Sequence, residues 1–491
     1  MTAHTIIKVE SVRSKVFNAD SSVLKLIDKE LSYFVEGYFW SPLYRGNMWD
    51  GKRHKFSKAT NQFPTGLLLH VTNLLKTKKI PHRVIDLRPK AKLDINAIVD
   101  RMDDYGIILR DYQLKGIMAG LDNRNMLFWW PTASGKTILF GGLITAYDLP
   151  TLILVNRTDL ISQHKKFLTK NTPFEIGTIG SGVWNPKQIT IATTQALWSA
   201  RTSNKRLLKK FLAGIGYLIL DEAHHGEAKT FKKPADDCKN AIIRHGFSGT
   251  PYSLSTDDLE LEAVTGPVLH KISVSDLIDE GYLSIPIVTI NHYKSKEVDA
   301  NTWTQAYRSG ITMLEERNRL ATSIINQRYE EGLSILVTVR EKKHGYLIKD
   351  ELLKIYAVSP RDISYLSGKD EQFIRDKVKK LFTDGHIKIL IVTSIWNEGI
   401  DVPTANCLVK LDGGGGKDVK DKKGVRTVFQ QVGRVLRKTK ANGSHDVDTT
   451  TPQYCYIDDF WDTSHPWLTK HSQNRLDTYN IERSFDVRIK Y

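Results

Sequence analysis

The chain has 491 residues, of which 41% are hydrophobic and 26% are charged, and its formal net charge is +16. This composition is typical of a folded protein and excludes a disordered chain, and the length predicts about three domains. No apolar run approaches the ~18 residues that a membrane span needs, and no secretion signal is recognisable. The three cysteines lie far apart without C-x-x-C spacing, which excludes a disulfide framework and a thiolate metal site. We therefore expect a cytoplasmic protein with no membrane partner.

Residues 1–100 are predicted to form a small basic α+β module. The stretch "TIIKVESV" alternates as a strand does, and "SSVLKLIDKELSYF" has the spacing of an amphipathic helix. From Arg45 to Lys92, twelve Lys and Arg stand against only Asp50 and Asp86. Such an excess of positive charge can neutralise several phosphates and favours a polyanionic partner, although a solvated basic face explains it equally well.

Beyond residue 100, short apolar runs alternate with helical segments. A first series contains "NMLFWW", "TLILVN", "QITIATT" and "YLILDE", and a second contains "SILVTV", "IKILIVTS" and "NCLVKL". This alternation is typical of parallel strands that are joined by helical crossovers. The sequence therefore predicts an α/β fold in which two tandem parallel-sheet domains, 101–290 and 291–445, follow the small α+β domain. A C-terminal helical tail, 446–491, is predicted to complete the chain.

The stretch "FWWPTASGKTILF" resembles a phosphate-binding loop between a strand and a helix. Gly135 lets the backbone approach a phosphate, Lys136 supplies charge for the β- and γ-phosphates, and Thr137 supplies a hydroxyl for Mg²⁺. The pattern G-x-x-x-x-G-K-[ST] asks for a glycine where Trp130 stands, but Thr132 and Ser134 are still small where the chain must curl. The loop is atypical, and we predict that it binds a nucleotide.

A second motif, "YLILDEAHH", places two acidic residues after a buried strand. Ligands of open α/β sheets bind at the carboxyl ends of strands, where Asp221 and Glu222 are expected to emerge. Asp221 suits the outer shell of Mg²⁺, and Glu222 suits the base that orients an attacking water. The alternative is an acidic surface pair after an ordinary strand. A metal site at His224 and His225 is disfavoured because neighbouring residues do not share a face.

Nine short motifs then occur in an order that resembles superfamily 2 helicases and translocases, over residues 105–440. They are "RDYQ", "PTASGKT", "VNRTDL", "TTQAL", "DEAH", "SGTP", "YLSG", "TSIWNEGIDVP" and "QQVGRVLR". The resemblance implies two RecA-like motor domains, ATP as the nucleotide and Mg²⁺ as its metal. Loops of the "PTGSGKT" kind in that superfamily also lack a fixed first glycine.

The resemblance also implies roles at the nucleotide. Arg110 and Gln113 match positions beside the adenine, and Gly399 and Asp401 match positions near the ribose or the interdomain cleft. Arg434 and Arg437 match arginine fingers, whose charge stabilises the transferring γ-phosphate, and Gln430 would face that phosphate.

Further positions match residues that hold a nucleic-acid backbone or transmit the nucleotide state. The backbone candidates are Arg157, Thr193, Thr194, Gln195 and Thr393, and the coupling candidates are His224, Ser248 and Thr250. Contacts to a backbone carry no sequence information, so binding is expected to be independent of base sequence. Thr193 and Thr393 have a structural alternative, which is to cap a helix.

The stretch "EGYFWSPLYRGNMWDGK", followed by "FPTGLLL", resembles the N-terminal module of phage branch-migration helicases of the UvsW type. Aromatics beside cations can stack bases and hold phosphates, and the candidate contacts are Arg45, Lys52, Arg53 and Lys55. Most of the aromatics, including Tyr38, Trp40 and Trp49, are more simply explained as the core of a small domain.

We thus predict an ATP-dependent DNA helicase or translocase that remodels branched DNA in recombination, repair or replication. The alternatives are an RNA helicase and the motor subunit of a larger restriction or repair complex. A monomer is expected, with recombination or single-strand-binding proteins as possible partners. If a phage encodes the chain, the expected location is the cytoplasm of the host cell.

Overall fold

The computed structural model describes residues 4–91, 102, 104, 107–223, 229–249, 258–393, 402, 404–414, 422–438 and 448–491. They divide into two compact units. The first contains the chain up to Trp130 together with Gly135–Lys271, and the second contains Pro131–Ser134 together with Ile272–Tyr491. Among these residues, no helix combines the length and the apolar character that crossing a membrane requires.

The N-terminal part of the first unit is the predicted α+β module. Its strands are β1 (Thr5–Val9), β2 (Arg13–Phe17), β3 (Ser32–Phe34), β4 (Lys52–His54), β5 (Gln62–Pro64) and β6 (His82–Asp86), and its helices are α1 (Ser21–Glu30), α2 (Pro42–Arg45) and α3 (Leu68–Thr77). The sheet has the order β5-β2-β1-β6, and β3 pairs with β4 separately. Val16, Ile27, Phe63 and Val71 belong to the buried core between sheet and helices.

The rest of the first unit is an eight-stranded sheet with the order β10-β9-β11-β8-β12-β13-β7-β14. Its strands are β7 (Asn125–Trp129), β8 (Thr151–Val155), β9 (Ile176–Gly180), β10 (Val183–Asn185), β11 (Ile189–Thr193), β12 (Tyr217–Asp221), β13 (Ile243–Ser248) and β14 (Val268–Lys271). The helices are α4 (Asp111–Asp122), α5 (Lys136–Tyr147), α6 (Thr158–Asn171), α7 (Thr194–Ser203), α8 (Lys205–Ala213), α9 (Lys229–Asp237) and α10 (Asp258–Thr265). Neighbouring strands are parallel except β9 and β10, as the alternating pattern predicts.

The second unit contains a seven-stranded, fully parallel sheet with the order β17-β18-β16-β19-β20-β15-β21. Its strands are β15 (Ile285–His292), β16 (Ile335–Val339), β17 (Ile363–Leu366), β18 (Ile389–Thr393), β19 (Cys407–Lys410), β20 (Tyr454–Trp461) and β21 (Asp486–Lys490). The helices are α11 (Val274–Asp279), α12 (Trp303–Tyr307), α13 (Glu315–Glu330), α14 (Lys342–Lys354), α15 (Gln372–Thr383), α16 (Lys422–Val432) and α17 (Pro466–Tyr479). The predicted pair of tandem parallel-sheet domains is confirmed.

Two predicted boundaries are wrong. Strand β15 lies in the second sheet although residues up to 290 were assigned to the first domain, and residues 446–491 are not a separate helical tail, because β20 lies between β19 and β15. The sequence of β20, "YCYIDDFW", looks too acidic for a central strand. Its buried acids are compensated by arginines from helices: Arg328 Nε lies 2.9 Å from Asp458 Oδ2, and Arg475 Nε lies 2.9 Å from Asp459 Oδ2.

Candidate nucleotide and nucleic-acid site

Five adjacent strands of the first sheet, in the order β11-β8-β12-β13-β7, end at one edge, and most of the predicted motor residues follow them. The phosphate loop follows β7, and Asp221 and Ser248 are the last residues of β12 and β13. Arg157 follows β8, and Thr193 ends β11. The carboxyl edge of a parallel sheet is where such folds bind ligands, so this edge is the candidate site.

The phosphate loop has the backbone that a close approach to phosphate requires. Gly135 has φ of +82° and directly precedes α5, and Ala133 has φ of +69°. Ser134 closes the turn by donating its Oγ hydrogen to the Pro131 carbonyl at 2.7 Å. A Cβ on Gly135 would lie 2.5 Å from Gln113 Nε2, so a larger residue would displace the amide of this predicted adenine contact. The N-terminus of α5 is therefore presented as an anion site.

Gln113 itself is held by the start of α4. The Arg110 backbone N–H donates to Gln113 Oε1 at 3.0 Å, and Arg110 Nη1 donates to the Tyr112 hydroxyl at 3.2 Å. Gln113 is buried. The predicted adenine pair is therefore brought together, with its glutamine against the glycine of the phosphate loop.

The lysine of the phosphate loop meets the acidic motif across the sheet edge. Lys136 Nζ lies 3.5 Å from Glu222 Oε1, and both side chains are largely shielded from solvent. Glu222 has φ of +48°, a backbone conformation that a non-glycine residue adopts at a cost and that is found at functional sites. Lys136 and Glu222, which were predicted from two separate motifs and are 86 positions apart in the chain, thus form one ion pair.

Asp221 has a partner that the sequence did not predict. His164 Nε2, from α6, lies 2.8 Å from Asp221 Oδ2, and both residues are buried. Burial acts to raise the pKa of Asp221, but the hydrogen bond and charge of His164 and the charge of Lys136 outweigh it and hold the pKa below its ordinary value. Asp221 Oδ1 is buried without a hydrogen-bond partner. A carboxylate that is kept ionised with one oxygen unused fits the outer shell of a Mg²⁺ ion.

The nucleic-acid candidates occupy the neighbouring strand ends. Thr193 is the N-cap of α7 and its Oγ1 accepts the Ala196 N–H at 3.2 Å, so its structural alternative is observed. Thr193 and Thr194 are buried. Gln195 is exposed, and its Nε2 donates to the Asn156 carbonyl at 3.1 Å, which brings it beside Arg157. Arg157 and Gln195 are thus better placed than Thr193 and Thr194 to contact a nucleic-acid backbone.

In the second unit, the predicted arginine fingers follow α16, which carries Gln430. The next residue, Gln431, was not predicted and lies in a buried network: Lys410 Nζ donates to Gln431 Oε1 at 2.7 Å, and Gln431 Nε2 donates to Asp412 Oδ2 at 2.7 Å. Arg434 is half-buried, and burial lowers the pKa of Arg437. Thr393 ends β18, and its Oγ1 is buried without a partner.

Two of the four N-terminal basic candidates, Arg53 and Lys55, contact the motor. Lys55, Lys232 and Arg53 all converge on the buried Glu260 of α10. Burial lowers the pKa of Lys55 to about 8. The pKa of Glu260 is lowered to about 2, because hydrogen bonds from Lys55, Tyr33 and Lys232 outweigh the effect of burial. Arg53 keeps 61% of its side chain exposed, but Lys55 keeps only 9%. Lys55 is therefore placed to dock the module.

The other two candidates belong to an aromatic surface of the module. Arg45 lies over the Trp40 ring, with 5.4 Å from Cζ to the centroid, and Lys52 Nζ lies 4.7 Å from the Phe34 centroid. Trp40 is 69% exposed, so the core explanation is wrong for this residue. The reason is that these rings stack on one another, as Phe34 and Tyr38 do at 4.6 Å, outside the hydrophobic core of the module.

Four predicted residues, His224, Thr250, Gly399 and Asp401, lie outside the described residues. Within the part of the chain that the structure describes, no group of three or more His, Cys, Asp or Glu side chains is arranged to hold a metal ion.

Two family matches cover most of the motor. Residues 87–253 match the family described as Type III restriction enzyme, res subunit, and residues 316–439 match the Helicase conserved C-terminal domain. The boundary between the two matches falls in the region where the structure divides into its two units.

Named relatives agree with these matches. The chain is 26% identical, over 68% of its length and 79% of the relative's, to the DNA 3'-5' translocase XPB2 of Sulfurisphaera tokodaii. It is 23% identical to the ATP-dependent DNA helicase uvsW of Enterobacteria phage T4, with 92% of each chain covered. Among solved structures, the DUF1998 helicase MrfA bound to DNA shares the fold with a TM-score of 0.59, at 14% identity, over 82% of this chain and 52% of that one.

Proposed function

Because the chain belongs to the superfamily 2 helicases, we propose that it is an ATP-dependent DNA helicase or translocase that unwinds or remodels branched DNA. The observation that carries this proposal is the single sheet edge on which Lys136 and Glu222 lie 3.5 Å apart while Arg157 and Gln195 follow the neighbouring strands. This arrangement supports the proposal, because the residues assigned to phosphate chemistry and to backbone binding share one sheet edge. The nucleotide is ATP.

The proposed roles at the nucleotide follow from this geometry. The Gly135 backbone and Lys136 hold the phosphates, and Glu222 accepts a hydrogen bond from the attacking water and orients it. Thr137 and Asp221 hold Mg²⁺, which supplies positive charge at the phosphates when it is bound. As the resemblance implies, Arg434 and Arg437 supply charge to the γ-phosphoryl group as it passes from ADP to water, and Gln430 faces it.

The proposed DNA contacts are made by side chains that are exposed, as in Gln195 and Arg45, or partly exposed, as in Arg157 and Lys52. Arg157 and Gln195 contact the backbone beside the nucleotide site, and Ser248 couples the nucleotide state to movement along DNA. In the N-terminal module, Arg45 and Lys52 present charge beside stacked rings, an arrangement that suits unpaired bases and phosphates at a branch point. The relatives' names support DNA over RNA as the substrate.

The testing experiment measures the ATPase rate with matched single-stranded DNA, duplex, forked DNA, a four-way junction and RNA. The Lys136→Ala protein serves as the blank. We expect the strongest stimulation from branched DNA, with strand separation or branch migration on the same substrates. Stimulation by RNA alone would overturn the DNA assignment. An inert wild-type protein that becomes active only with added protein would favour a subunit of a larger complex.

The monomeric state, the protein partners and the cytoplasmic location stay predictions.

A further inference from the structure

Two consecutive tryptophans stand where the strand β7 ends and the phosphate loop begins. Trp129 is the last residue of β7, and Trp130 is fully buried and occupies the position at which a phosphate loop often has glycine. Consecutive residues of a strand point to opposite faces, so the two indoles extend to opposite sides of the chain. Each one donates its N–H to a different neighbouring segment.

Trp130 joins the phosphate loop to three other segments. Its backbone N–H donates to the Ser248 carbonyl at 3.0 Å, and its indole Nε1 donates to His270 Nδ1 at 3.0 Å. Its ring lies 5.3 Å from that of Tyr112, the neighbour of Gln113. A Cβ on Gly116 would lie only 2.6 Å from the indole, so the absence of a side chain at this position of α4 makes room for the Trp130 ring. A buried indole N–H needs such an acceptor, and burial and the charge of Lys115 lower the pKa of His270, which favours the neutral ring that can accept.

Trp129 contacts the same region from the other side. Its Nε1 donates to the Gly249 carbonyl at 3.0 Å, and Lys271 Nζ lies 4.0 Å from the centroid of its ring. The backbone N–H of Trp130 thus binds the Ser248 carbonyl, and the indole N–H of Trp129 binds the next carbonyl along the chain, that of Gly249. A glycine at position 130 would keep only the backbone bond, because it has no indole.

We propose that Trp129 and Trp130 are positioning residues that bind the start of the phosphate loop to the Ser248–Gly249 segment, so that the loop and this segment shift together when the nucleotide changes. This inference rests on the proposed function, in which Ser248 couples the nucleotide state to DNA. Both indole N–H groups donate to protein acceptors, so neither is left to donate to a phosphate. Its loss should therefore uncouple hydrolysis from DNA rather than prevent nucleotide binding.

Trp129→Phe is the sharpest variant, since it keeps a smaller aromatic ring beside Lys271 and removes the N–H that is donated to Gly249. A hydrogen bond of this kind is worth about 1 kcal/mol, or about fivefold in a rate. We expect DNA-stimulated kcat and strand separation per ATP to fall by about that factor, while the KM for ATP and the basal kcat stay unchanged and the Tm falls only by the small amount that one hydrogen bond contributes. Trp184→Phe, which alters a ring 6.1 Å from Phe211 at the opposite end of the same sheet, is the matched control.

A second pair of variants tests Trp130 without changing it. His270→Phe removes the acceptor of the indole N–H, whereas His270→Asn keeps an acceptor near the Nδ1 position. We expect His270→Phe to lose coupling as Trp129→Phe does and His270→Asn to retain most of it. Wild-type coupling in both Trp129→Phe and His270→Phe would overturn the inference, and so would a joint loss of basal activity and Tm, which a purely structural role produces. If the wild-type protein is not stimulated by DNA, the proposed function fails instead.

Discussion

At the scale of single residues, Lys136 offers the cleanest test of the nucleotide site. Removing its ammonium group in Lys136→Ala leaves the phosphates without their nearest cation, so we expect ATP hydrolysis to fall by about a hundredfold or more. The DNA candidates Arg157 and Gln195 follow other strands, so the affinity for forked DNA measured by fluorescence anisotropy should be unchanged. A parallel loss of hydrolysis and DNA binding, at an unchanged Tm, would show that this loop is not a dedicated nucleotide site.

The same residues show what sequence could and could not supply. Lys136, Asp221 and Glu222 were predicted because each lies in a short motif whose spacing reflects local backbone geometry. His164 was missed, because its contact with Asp221 spans 57 positions and depends on how α6 packs beside β12. Trp40 was misjudged for a related reason: aromatic composition does not tell whether rings pack into a core or on one another at the surface.

At the scale of elements, helix α10 fastens the N-terminal module to the motor. Glu260→Gln keeps the shape of the side chain but removes the charge on which Lys55, Lys232 and Arg53 converge. A cation that is left buried without its partner typically costs about 3–5 kcal/mol. We therefore expect faster proteolysis between the module and the motor and a lower Tm. The control is Glu36→Gln, which changes an exposed residue of the N-terminal module. Equal proteolysis rates and equal Tm values for the two variants would contradict a docking role for Glu260.

A second contact of this helix should make docking depend on pH. His70 Nε2 contacts Glu262, and this hydrogen bond, opposed by burial, raises the pKa of His70 above 6.5. A raised folded-state pKa stabilises the protein below the unfolded value, about 6.5, and this stabilisation is lost as the pH rises through the folded value. We expect the Tm of the wild type to fall between pH 6.5 and 8 more than that of His70→Gln. If the Tm of both proteins fell in parallel as the pH rose, the protonation of His70 would not contribute to docking.

Element prediction succeeded where apolar runs were short and alternated with helices, and it failed at β20. Asp458 and Asp459 make that strand look like a solvated segment, and only the arginines of α13 and α17 make it a buried one. In α17, His471, Arg475 and Tyr479 are four residues apart and therefore share one face of the helix. In the structure Arg475 and Tyr479 are buried against Asp459, so that face packs into the second sheet.

At the scale of the whole molecule, the net charge of +16 raises the question of whether DNA is gripped locally or attracted by the field of the entire chain. Each phosphate contact that is lost lowers the slope of log K against log salt by about 0.9 for duplex DNA. Arg45 and Lys52 stand beside exposed rings, whereas Lys55 is occupied by Glu260. The double variant Arg45→Gln and Lys52→Gln therefore tests a local grip without disturbing the docking contact.

We expect this double variant to reduce the salt slope for forked DNA by about two, one unit for each contact, with less effect on plain duplex. Lys205→Gln with Lys209→Gln is the matched control, because it removes the same charge from an exposed face of α8. An equal fall in both double variants would mean that overall charge, and not the N-terminal module, attracts the DNA. A fall confined to the Arg45 and Lys52 variant would place the branch point at the aromatic surface, because a diffuse field does not distinguish which cation is removed.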